Sequence, residues 1–370
     1  MLPVTNSILL IASEFPPNVG GIGNHAFNLA KALQIEGFEV TVVADIINVD
    51  EKELAAFSAK QSFKINWIIR QSLVYKTYLQ RIRTSVRLAG KNNIVICSGK
   101  FSLWSAVLIK TFFPKKNLIA VVHGTELDFK STIPKKITGY ALGKFDKIIS
   151  VSNYTSQFLP LSLKQTVKKY IIHNGIYNNE FVSSASDRLL GKPALITVGN
   201  LTDRKGQENV IKSLPQILSL YPEAQYHLIG KTTNKEILAN TAKQLKVDDK
   251  LHFYGAVARH ELLDILKGAT IKLMLSNHTK EGDFEGFGIA VSEANAFGIP
   301  AIGSRNSGLS DAIEHNITGL LVDQYDKKEV ADAVDTIISN YSFFSGNARD
   351  WAMQHDWKNI IKQYVQAINE

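Results

Sequence analysis

Short apolar runs alternate with longer amphipathic segments along the whole chain. Several of the runs are apolar at consecutive positions, which is typical of parallel strands buried on both faces. Segments of helical length, such as 207–222 and 259–269, separate them. The pattern predicts an α/β protein with two Rossmann-like, doubly wound domains. The predicted strands lie at 7–13, 39–45, 93–99, 117–124, 147–152, 194–200, 225–231, 251–256, 271–276 and 299–304.

The domain boundary is predicted from a segment at 177–192 that is polar and poor in apolar residues. We expect an N-terminal domain over 1–176 and a C-terminal domain over 190–350. The amphipathic segment at about 351–370 is a candidate for packing back on the N-terminal domain. A chain of 370 residues is long enough for two such domains, which commonly hold roughly 100–200 residues each.

Composition narrows the class of protein. The chain has 45% hydrophobic and 21% charged residues, which is ordinary for a globular protein. The first apolar segment, "SILLIASEF", is short and lacks a basic lead-in, so it predicts a strand rather than a signal peptide. We therefore expect a cytoplasmic protein. The single cysteine, Cys97, is expected to be a buried apolar residue.

Charge is distributed unevenly along the chain. Residues 1–175 hold 22 Lys and Arg against 10 Asp and Glu, whereas the remainder holds 20 against 24. Residues 54–125 contain twelve basic residues and no acidic residue. This pattern predicts a basic surface that binds a polyanion, which is a membrane lipid, a nucleic acid or a charged substrate.

A glycine motif near the N-terminus suggests one kind of ligand. The letters "GIGNHA" at 21–26 fit the dinucleotide-binding pattern, and Asp45 ends the next strand. That pattern requires its glycines directly after the first strand, but "SEFPPNV" intervenes here. We favour a mobile glycine loop whose amides approach a phosphate or an acceptor. Nicotinamide binding and a simple turn stay open as alternatives.

The second half carries the more specific chemistry. Arg204 and Lys205 lie between a strand that ends at 198–199 and a helix that begins near Gln207, a suitable place for an anion. Glu285 adjoins a glycine turn, and Glu293 lies one to two turns inside the following helix. Two carboxylates can each accept hydrogen bonds from paired hydroxyls. One carboxylate for a ribose, one for a hexose, and amides between them for a diphosphate would suit a nucleotide sugar.

These motifs resemble the family 4 retaining glycosyltransferases of GT-B fold, in which two Rossmann-like domains face each other across a cleft. The resemblance extends over nearly the whole chain and is strongest in "EGFGIAVSEANAFGIPAIGS", with "PPNVGGIGNHAFNLAKAL", "VVHGTE", "HNGI" and "VGNLTDRKG" as further matches. It implies acceptor recognition by the N-terminal domain, donor recognition by the C-terminal domain, and a reaction site in the cleft.

The resemblance also implies roles for individual residues. Glu285 would hydrogen-bond sugar hydroxyls, Glu293 would hold the ribose, and Lys205 would contact the diphosphate. His123 matches a histidine beside the transferred sugar, a placement that also follows from its position after the apolar run at 117–122. The remaining predicted donor-binding residues lie in glycine loops or beside them: Gly20, Gly21, Gly199, Asn200, Gly286, Phe287, Gly288 and Ile289.

Three positions depart from the family pattern. Asn200 stands where an arginine is common, and Arg204 is the substitute that we expect for it. His173 replaces a proline, and Ser307 replaces a glycine. These departures leave the identity of the sugar donor open.

The implied reaction moves a hexose from a nucleoside diphosphate sugar, with UDP favoured over GDP, to a glycan or lipid-linked acceptor. No metal and no further cofactor are expected, since no compact Asp-x-Asp pair lies near the donor loops. An oxidoreductase that uses the "GIGNHA" loop and a non-catalytic polyanion-binding protein remain as alternatives. The first would give Glu285, Glu293 and Lys205 no role.

A basic stretch at 64–91 predicts the surface on which the protein acts. Seven Lys and Arg alternate there with aromatic and aliphatic residues, as in an amphipathic helix. We expect peripheral, salt-sensitive contact with an anionic membrane, at the inner face of the plasma membrane. No nucleic-acid partner is expected, because the aromatic residues lie among aliphatic ones and form no evident stacking platform.

Overall fold

The computed structural model describes residues 7–18, 20–181 and 189–370 and divides the chain into two units. The N-terminal unit is Met1–Gly175 with Trp357–Glu370, and the C-terminal unit is Ile176–Asp356. Part of the predicted linker at 177–192, residues 182–188, lies outside the described residues. Both units are α/β, as the apolar runs predict.

The described part of the N-terminal unit contains one sheet of seven parallel strands. Their spatial order is β3-β2-β1-β4-β5-β6-β7. The central strands are almost completely buried, because helices cover both faces of a doubly wound sheet. The strands are β1 (Ser7–Ala12), β2 (Glu39–Ile46), β3 (Lys64–Ile69), β4 (Ile94–Ser98), β5 (Asn117–Val122), β6 (Lys147–Ser150) and β7 (Lys168–Ile171).

Helices connect these strands and pack on the sheet through their apolar faces. Helices α3 and α5 both pack against α4. The helices of this part are α1 (Gly21–Ile35), α2 (Glu51–Ala59), α3 (Val74–Ala89), α4 (Lys100–Phe112), α5 (Thr132–Leu142) and the single turn α6 (Asn153–Ser156).

The C-terminal unit repeats the design with six parallel strands among its described residues. Their order is β10-β9-β8-β11-β12-β13, so the chain again winds outward in both directions from the middle of the sheet. The strands are β8 (Ala194–Val198), β9 (Gln225–Ile229), β10 (Leu251–Gly255), β11 (Ile271–Met274), β12 (Ala301–Ser304) and β13 (Gly319–Val322).

Helices also flank the second sheet on both sides. A large core of Leu, Ile and Val lies on one face of the sheet, and a smaller core around Ile196, Ala294 and Ile299 lies on the other. The helices are α7 (Gln207–Leu220), α8 (Lys235–Gln244), α9 (Arg259–Leu266), α10 (Ile289–Ala296), the single turn α11 (Leu309–Ala312), α12 (Lys327–Ser339) and α13 (Tyr341–Gln354).

The last helix, α14 (Trp357–Asn369), belongs to the N-terminal unit and packs against α1. Its apolar face is buried, with Trp357 and Tyr364 almost completely inaccessible to solvent. Tyr364 Oη and His25 Nε2 are 3.0 Å apart and form a hydrogen bond. The segment 351–356 instead ends α13 and belongs to the C-terminal unit.

Two expectations for the N-terminal half need correction. The stretch 64–91 is not one helix: 64–69 forms β3 and 74–89 forms α3. Arg81 does not contribute to a basic surface, because it is buried and its Nε donates to Asp45 Oδ1 at 2.8 Å. Among the described residues, no helix is both long enough and apolar enough to cross a membrane.

Candidate active site

The winding of the second sheet changes direction between β8 and β11, which lie side by side. Ligands of open α/β sheets bind at the carboxyl ends of the strands that flank such a point. The loop 199–206 follows β8, and the loop 275–288 follows β11. These two loops carry Arg204, Lys205 and Glu285, so the fold brings three predicted site residues together.

A tight turn fixes the two predicted cations. Residues Asp203–Lys205 form a 3₁₀ turn that Gly206 ends with a φ of +67°. A Cβ atom on Gly206 would lie 1.6 Å from the carbonyl oxygen of Leu275, so only glycine fits there. The backbone N–H of Asn277 donates to the carbonyl of Arg204 at 2.9 Å. The turn is therefore held directly against the segment that follows β11.

Glu285 binds both cations through one oxygen atom. Lys205 Nζ lies 2.8 Å and Arg204 Nη1 lies 2.6 Å from Glu285 Oε2. The side chains of Lys205 and Glu285 are only 14% and 11% exposed, so water screens the cluster weakly. We call these three residues the Glu285 cluster.

Charge within the Glu285 cluster changes the titration of its members. Burial by itself would raise the pKa of Glu285, but Lys205 and Arg204 outweigh it and lower that pKa below the usual value. Burial lowers the pKa of Lys205, with repulsion from Arg204 in the same direction and attraction to Glu285 opposing it. Glu285 is therefore ionised at neutral pH, ready to accept hydrogen bonds.

The glycine turn after Glu285 leads directly into α10. Gly288 has a φ of +100°, and a Cβ atom there would lie 2.5 Å from Leu309 Cδ2. Phe287 is buried and anchors the turn, while Gly286 and Ile289 complete the segment that opens the helix. The first N–H groups of a helix have no partner within it and can bind an anion.

Glu293 projects from the second turn of α10 and is also paired. Arg259, the first residue of α9, donates to Glu293 Oε1 at 2.6 Å and to Glu180 Oε2 at 3.0 Å. The Glu293 side chain is 13% exposed, whereas that of Arg259 is 45% exposed. Arg259, which was not predicted from the sequence, therefore orients Glu293, the residue predicted to bind the ribose.

The remaining predicted residues of this unit form the loop after β8. The N–H of Gly199 donates to the carbonyl of Ile229 at 2.8 Å, which extends the pairing beyond β8. The side-chain oxygen of Asn200 accepts from the backbone N–H of Lys231 at 3.4 Å. Asn200 thus stabilises the loop, while Arg204 supplies the guanidinium group in it.

The N-terminal unit places His123 at the carboxyl end of β5, as predicted. Its Nε2 atom lies 2.9 Å from Ser98 Oγ, and its backbone N–H donates to Glu126 Oε1 at 2.7 Å. The imidazole is buried against His25, with 5.0 Å between the ring centroids. Burial lowers the pKa of His123 to about 3, so the ring is neutral at physiological pH. It acts as a polar group there and not as a cation.

Gly21 and Gly23 lie in a helix and not in a loop. Gly21–Ala26 is the start of α1, and Gly20 is the residue before it. A Cβ atom on Gly20 would lie 2.6 Å from Glu14 Oε2, whereas Gly21 has open space around it. The prediction of a mobile glycine loop is therefore wrong for Gly21–Ala26. The nicotinamide alternative also loses support, because Asp45 is paired with Arg81.

The sequence analysis missed a further ionisable residue beside this site. Lys272 lies in the middle of β11 and is 0% exposed. Its place in the apolar run "IKLMLS" was the available signal, because a lysine there cannot reach solvent if the strand is buried on both faces. Across residues 7–18, 20–181 and 189–370, no group of three or more His, Cys, Asp and Glu could hold a metal ion.

Comparison with known families decides the class of protein. Residues 19–179 match the model described as Glycosyltransferase Family 4, and residues 179–362 match the model described as Glycosyl transferases group 1. The chain belongs to the family 4 glycosyltransferases. The site described above is thus the candidate active site of a glycosyltransferase, and the resemblance seen in its motifs is confirmed.

Relatives of this glycosyltransferase match it almost end to end. An uncharacterized glycosyltransferase of Methanocaldococcus jannaschii is 25% identical, over 97% of this chain and 96% of its own. A GDP-mannose-dependent monoacylated α-(1-6)-phosphatidylinositol monomannoside mannosyltransferase of Corynebacterium glutamicum is 23% identical, over 92% of this chain and 90% of its own.

Solved structures show the same fold at low sequence identity. Anabaena HepE in complex with UDP and glucose superposes with a TM-score of 0.80 at 18% identity, over 98% of this chain and 99% of its own. The sucrose-phosphate synthase of Thermosynechococcus elongatus gives a TM-score of 0.81 at 18% identity, over 98% of each chain. These likenesses confirm the GT-B prediction for the glycosyltransferase.

The close approach at Gly206 generates a prediction about this glycosyltransferase. Gly206→Ala should lower the free energy of unfolding by about 1–3 kcal/mol, because alanine is strained at positive φ and its Cβ displaces Leu275. The matched control is Gly346→Ala, at a helical glycine with nothing within 4 Å of the added Cβ. Chemical denaturation of both variants measures the difference, and equal free energies of unfolding would show that the turn tolerates a side chain.

Proposed function

We propose that this glycosyltransferase transfers a hexose, with retention of anomeric configuration, from a nucleoside diphosphate sugar to a glycan or lipid-linked acceptor. The observation that carries the proposal is the Glu285 cluster beside the start of α10. Two cations, a carboxylate and the N-terminus of α10 lie at one edge of one sheet. A nucleotide sugar presents the complementary groups, which are a diphosphate and a ring of hydroxyls.

Each part of the donor has a partner in this assignment. The diphosphate competes with Glu285 for Lys205 and Arg204, and the N–H groups from Gly286 to Ile289 bind it as well. Glu285 then accepts hydrogen bonds from hexose hydroxyls. Glu293, which Arg259 orients, accepts hydrogen bonds from the two ribose hydroxyls. Gly199 and Asn200 belong to the loop after β8 that also carries Lys205 and Arg204.

The protein has to stabilise the negative charge on the leaving group, which is the diphosphate. The bond between the anomeric carbon and the phosphate oxygen breaks, and a bond to the acceptor oxygen forms on the same face. The acceptor proton passes to the departing diphosphate. Lys205, Arg204 and the start of α10 stabilise that diphosphate without a metal ion, and one aligned donor of this kind commonly contributes a factor of roughly 10²–10³ in turnover.

The base of the donor is proposed as uracil. HepE was solved in complex with UDP and glucose, which favours UDP by analogy. The mannosyltransferase relative from Corynebacterium glutamicum is GDP-mannose-dependent, so GDP is the alternative that a test must include.

Binding of the donor without metal is a prediction of this assignment. A UDP-sugar in EDTA should raise the melting temperature, because a ligand at a hundredfold excess over its Kd adds about 2.7 kcal/mol to the free energy of unfolding. A thermal-shift panel of UDP, GDP, ADP and their sugars, with NAD as control, measures it. Stabilisation that appears only with magnesium would refute the assignment of the diphosphate to Lys205 and Arg204.

The two glutamates should have separable effects. Glu285→Gln should reduce discrimination among UDP-sugars while leaving free UDP binding intact, because it removes the sugar ligand and frees two cations. Glu293→Gln should weaken binding of free UDP. Each charge-assisted hydrogen bond contributes about 1.5–3 kcal/mol, so each loss should exceed tenfold in Kd.

Calorimetry with UDP and with UDP-sugars separates these effects. Glu223→Gln is the matched control, since this exposed residue precedes β9, at the amino ends of the strands and opposite the donor loops. Equal losses of UDP affinity in Glu285→Gln and Glu293→Gln would contradict the division of roles between the two carboxylates.

We also propose that the N-terminal unit contacts an anionic membrane surface. Helices α3 and α5, on the two sides of α4, expose apolar side chains: Leu73, Tyr75 and Leu79 at the start of α3, and Ile133, Ile137 and Tyr140 along α5. Exposed basic residues lie among them: Lys76, Arg83, Arg87, Lys135 and Lys136. Each Lys or Arg near an anionic leaflet contributes about 1 kcal/mol.

Liposome co-sedimentation tests this contact. Binding should require anionic lipid, fall steeply from low to physiological salt, and weaken in a Lys76→Glu, Arg83→Glu, Arg87→Glu variant. The matched control replaces three exposed lysines of the C-terminal unit with Glu, which reverses their charge. These lysines are Lys231, Lys243 and Lys327. Equal pelleting with neutral liposomes, or equal loss in both triple variants, would mean that this surface does not bind membrane.

A further inference from the structure

Lys272 is a lysine without access to solvent. It lies in β11 between Ile271 and Leu273, which pack into the larger core of the C-terminal unit. Because side chains alternate along a strand, Lys272 points to the opposite face, where α10 packs. Its exposure is 0%, and its Nζ has no hydrogen-bond partner among the described residues.

Packing alone does not explain this residue. Lysines on buried surfaces usually extend their amine to water, and β11 leaves no such route for Lys272. A charged amine without a counterion or acceptor is strongly unfavourable in an apolar interior. Lys272 therefore prefers its uncharged form in the ligand-free protein.

The charges that act on Lys272 are those of the candidate active site. They are Lys205 after β8, Glu285 after β11, and Glu293 on α10. The neighbouring strands β8 and β12 carry no titratable side chain. Helix α9 contributes Arg259 through its pair with Glu293. Lys272 thus shares its electrostatic surroundings with the residues assigned to the donor.

The ion pairs of the donor site are balanced in charge before Lys272 is counted. Among the described residues, the ion pairs join Lys205 and Arg204 to Glu285, and Arg259 to Glu293 and Glu180. Three cations face three carboxylates. A nucleoside diphosphate adds two or more negative charges, for which these pairs hold no spare cation.

We propose that Lys272 is a positioning residue of the donor site, which takes up a proton from solvent when a nucleoside diphosphate binds at Lys205 and Arg204. Its new positive charge then acts on the diphosphate through Lys205 and Glu285, without touching the ligand. The proton returns to solvent when the product diphosphate leaves. The inference rests on the proposed function, because it requires that the diphosphate binds in this unit.

The titration of Lys272 fits this inference. Burial lowers its pKa to about 7, with repulsion from Lys205 in the same direction. Negative charge from a diphosphate raises that pKa, so the bound protein holds more protons above pH 7. Affinity for the nucleotide should fall as the pH rises from about 7, by up to about tenfold per pH unit, and should level off below pH 7.

Calorimetry at pH 8 in HEPES, Tris and Tricine, which differ in ionisation enthalpy, measures the protons taken up for each UDP bound. The wild-type chain should take up a substantial fraction of one proton. Lys272→Met and Lys272→Gln should bind UDP with uptake near zero and with a flatter pH dependence of Kd. Lys243→Met, which removes an exposed lysine of α8, should behave like the wild type.

The results distinguish a failure of the role of Lys272 from a failure of the proposed function. Binding of UDP without proton uptake in the wild type, or unchanged uptake in the Lys272 variants, would overturn the role of Lys272 and leave the donor site in place. Absence of binding of any nucleoside diphosphate to the wild type would overturn the proposed function, and this inference with it.

Discussion

A buried carboxylate that holds two cations is the interaction on which the candidate active site depends. Glu285 joins the loop after β8 to the loop after β11 through a single oxygen atom. Removal of one partner from a buried ion pair commonly costs about 3–5 kcal/mol, because the remaining charge stays buried. The Glu285 cluster therefore keeps both loops in place when no ligand is bound, with the cations already aligned.

The same arrangement explains how a ligand can be both bound and discriminated. A diphosphate that replaces Glu285 as the partner of Lys205 and Arg204 exchanges one ionic contact for another, so little charge has to be desolvated anew. In the proposed function, the carboxylate that it releases becomes available for the sugar. Gly288 permits the turn of positive φ that leads from Gly286 into α10. Lys272 would supply the charge that the ion pairs lack.

Most of the fold could be predicted from the apolar runs, because the central strands are buried on both faces. The strands that were missed, β3, β7 and β13, are edge strands of their sheets. In β3, Lys64 and Asn66 interrupt the apolar pattern, and β7 begins with two lysines, since an edge strand has one side without a partner strand.

Less of the candidate site than of the fold could be predicted from the sequence. The positions of Arg204, Lys205 and Glu285 follow from strand ends and glycine turns, but their mutual pairing does not. Glu285 lies 80 positions from Lys205 in sequence, and only the sheet order brings them together. Arg259 and the burial of Arg81 depend in the same way on contacts between distant segments.

In the proposed function, a nucleoside diphosphate replaces Glu285 as the partner of Lys205 and Arg204. A crystal structure of the chain in complex with UDP tests it most directly. We expect the diphosphate to contact Lys205, Arg204 and the N–H groups of Gly286–Ile289, and the ribose hydroxyls to contact Glu293. Glu285 should then no longer bind both cations. A structure in which UDP binds elsewhere, or in which the Glu285 cluster persists with UDP bound beside it, would show that the diphosphate does not replace Glu285.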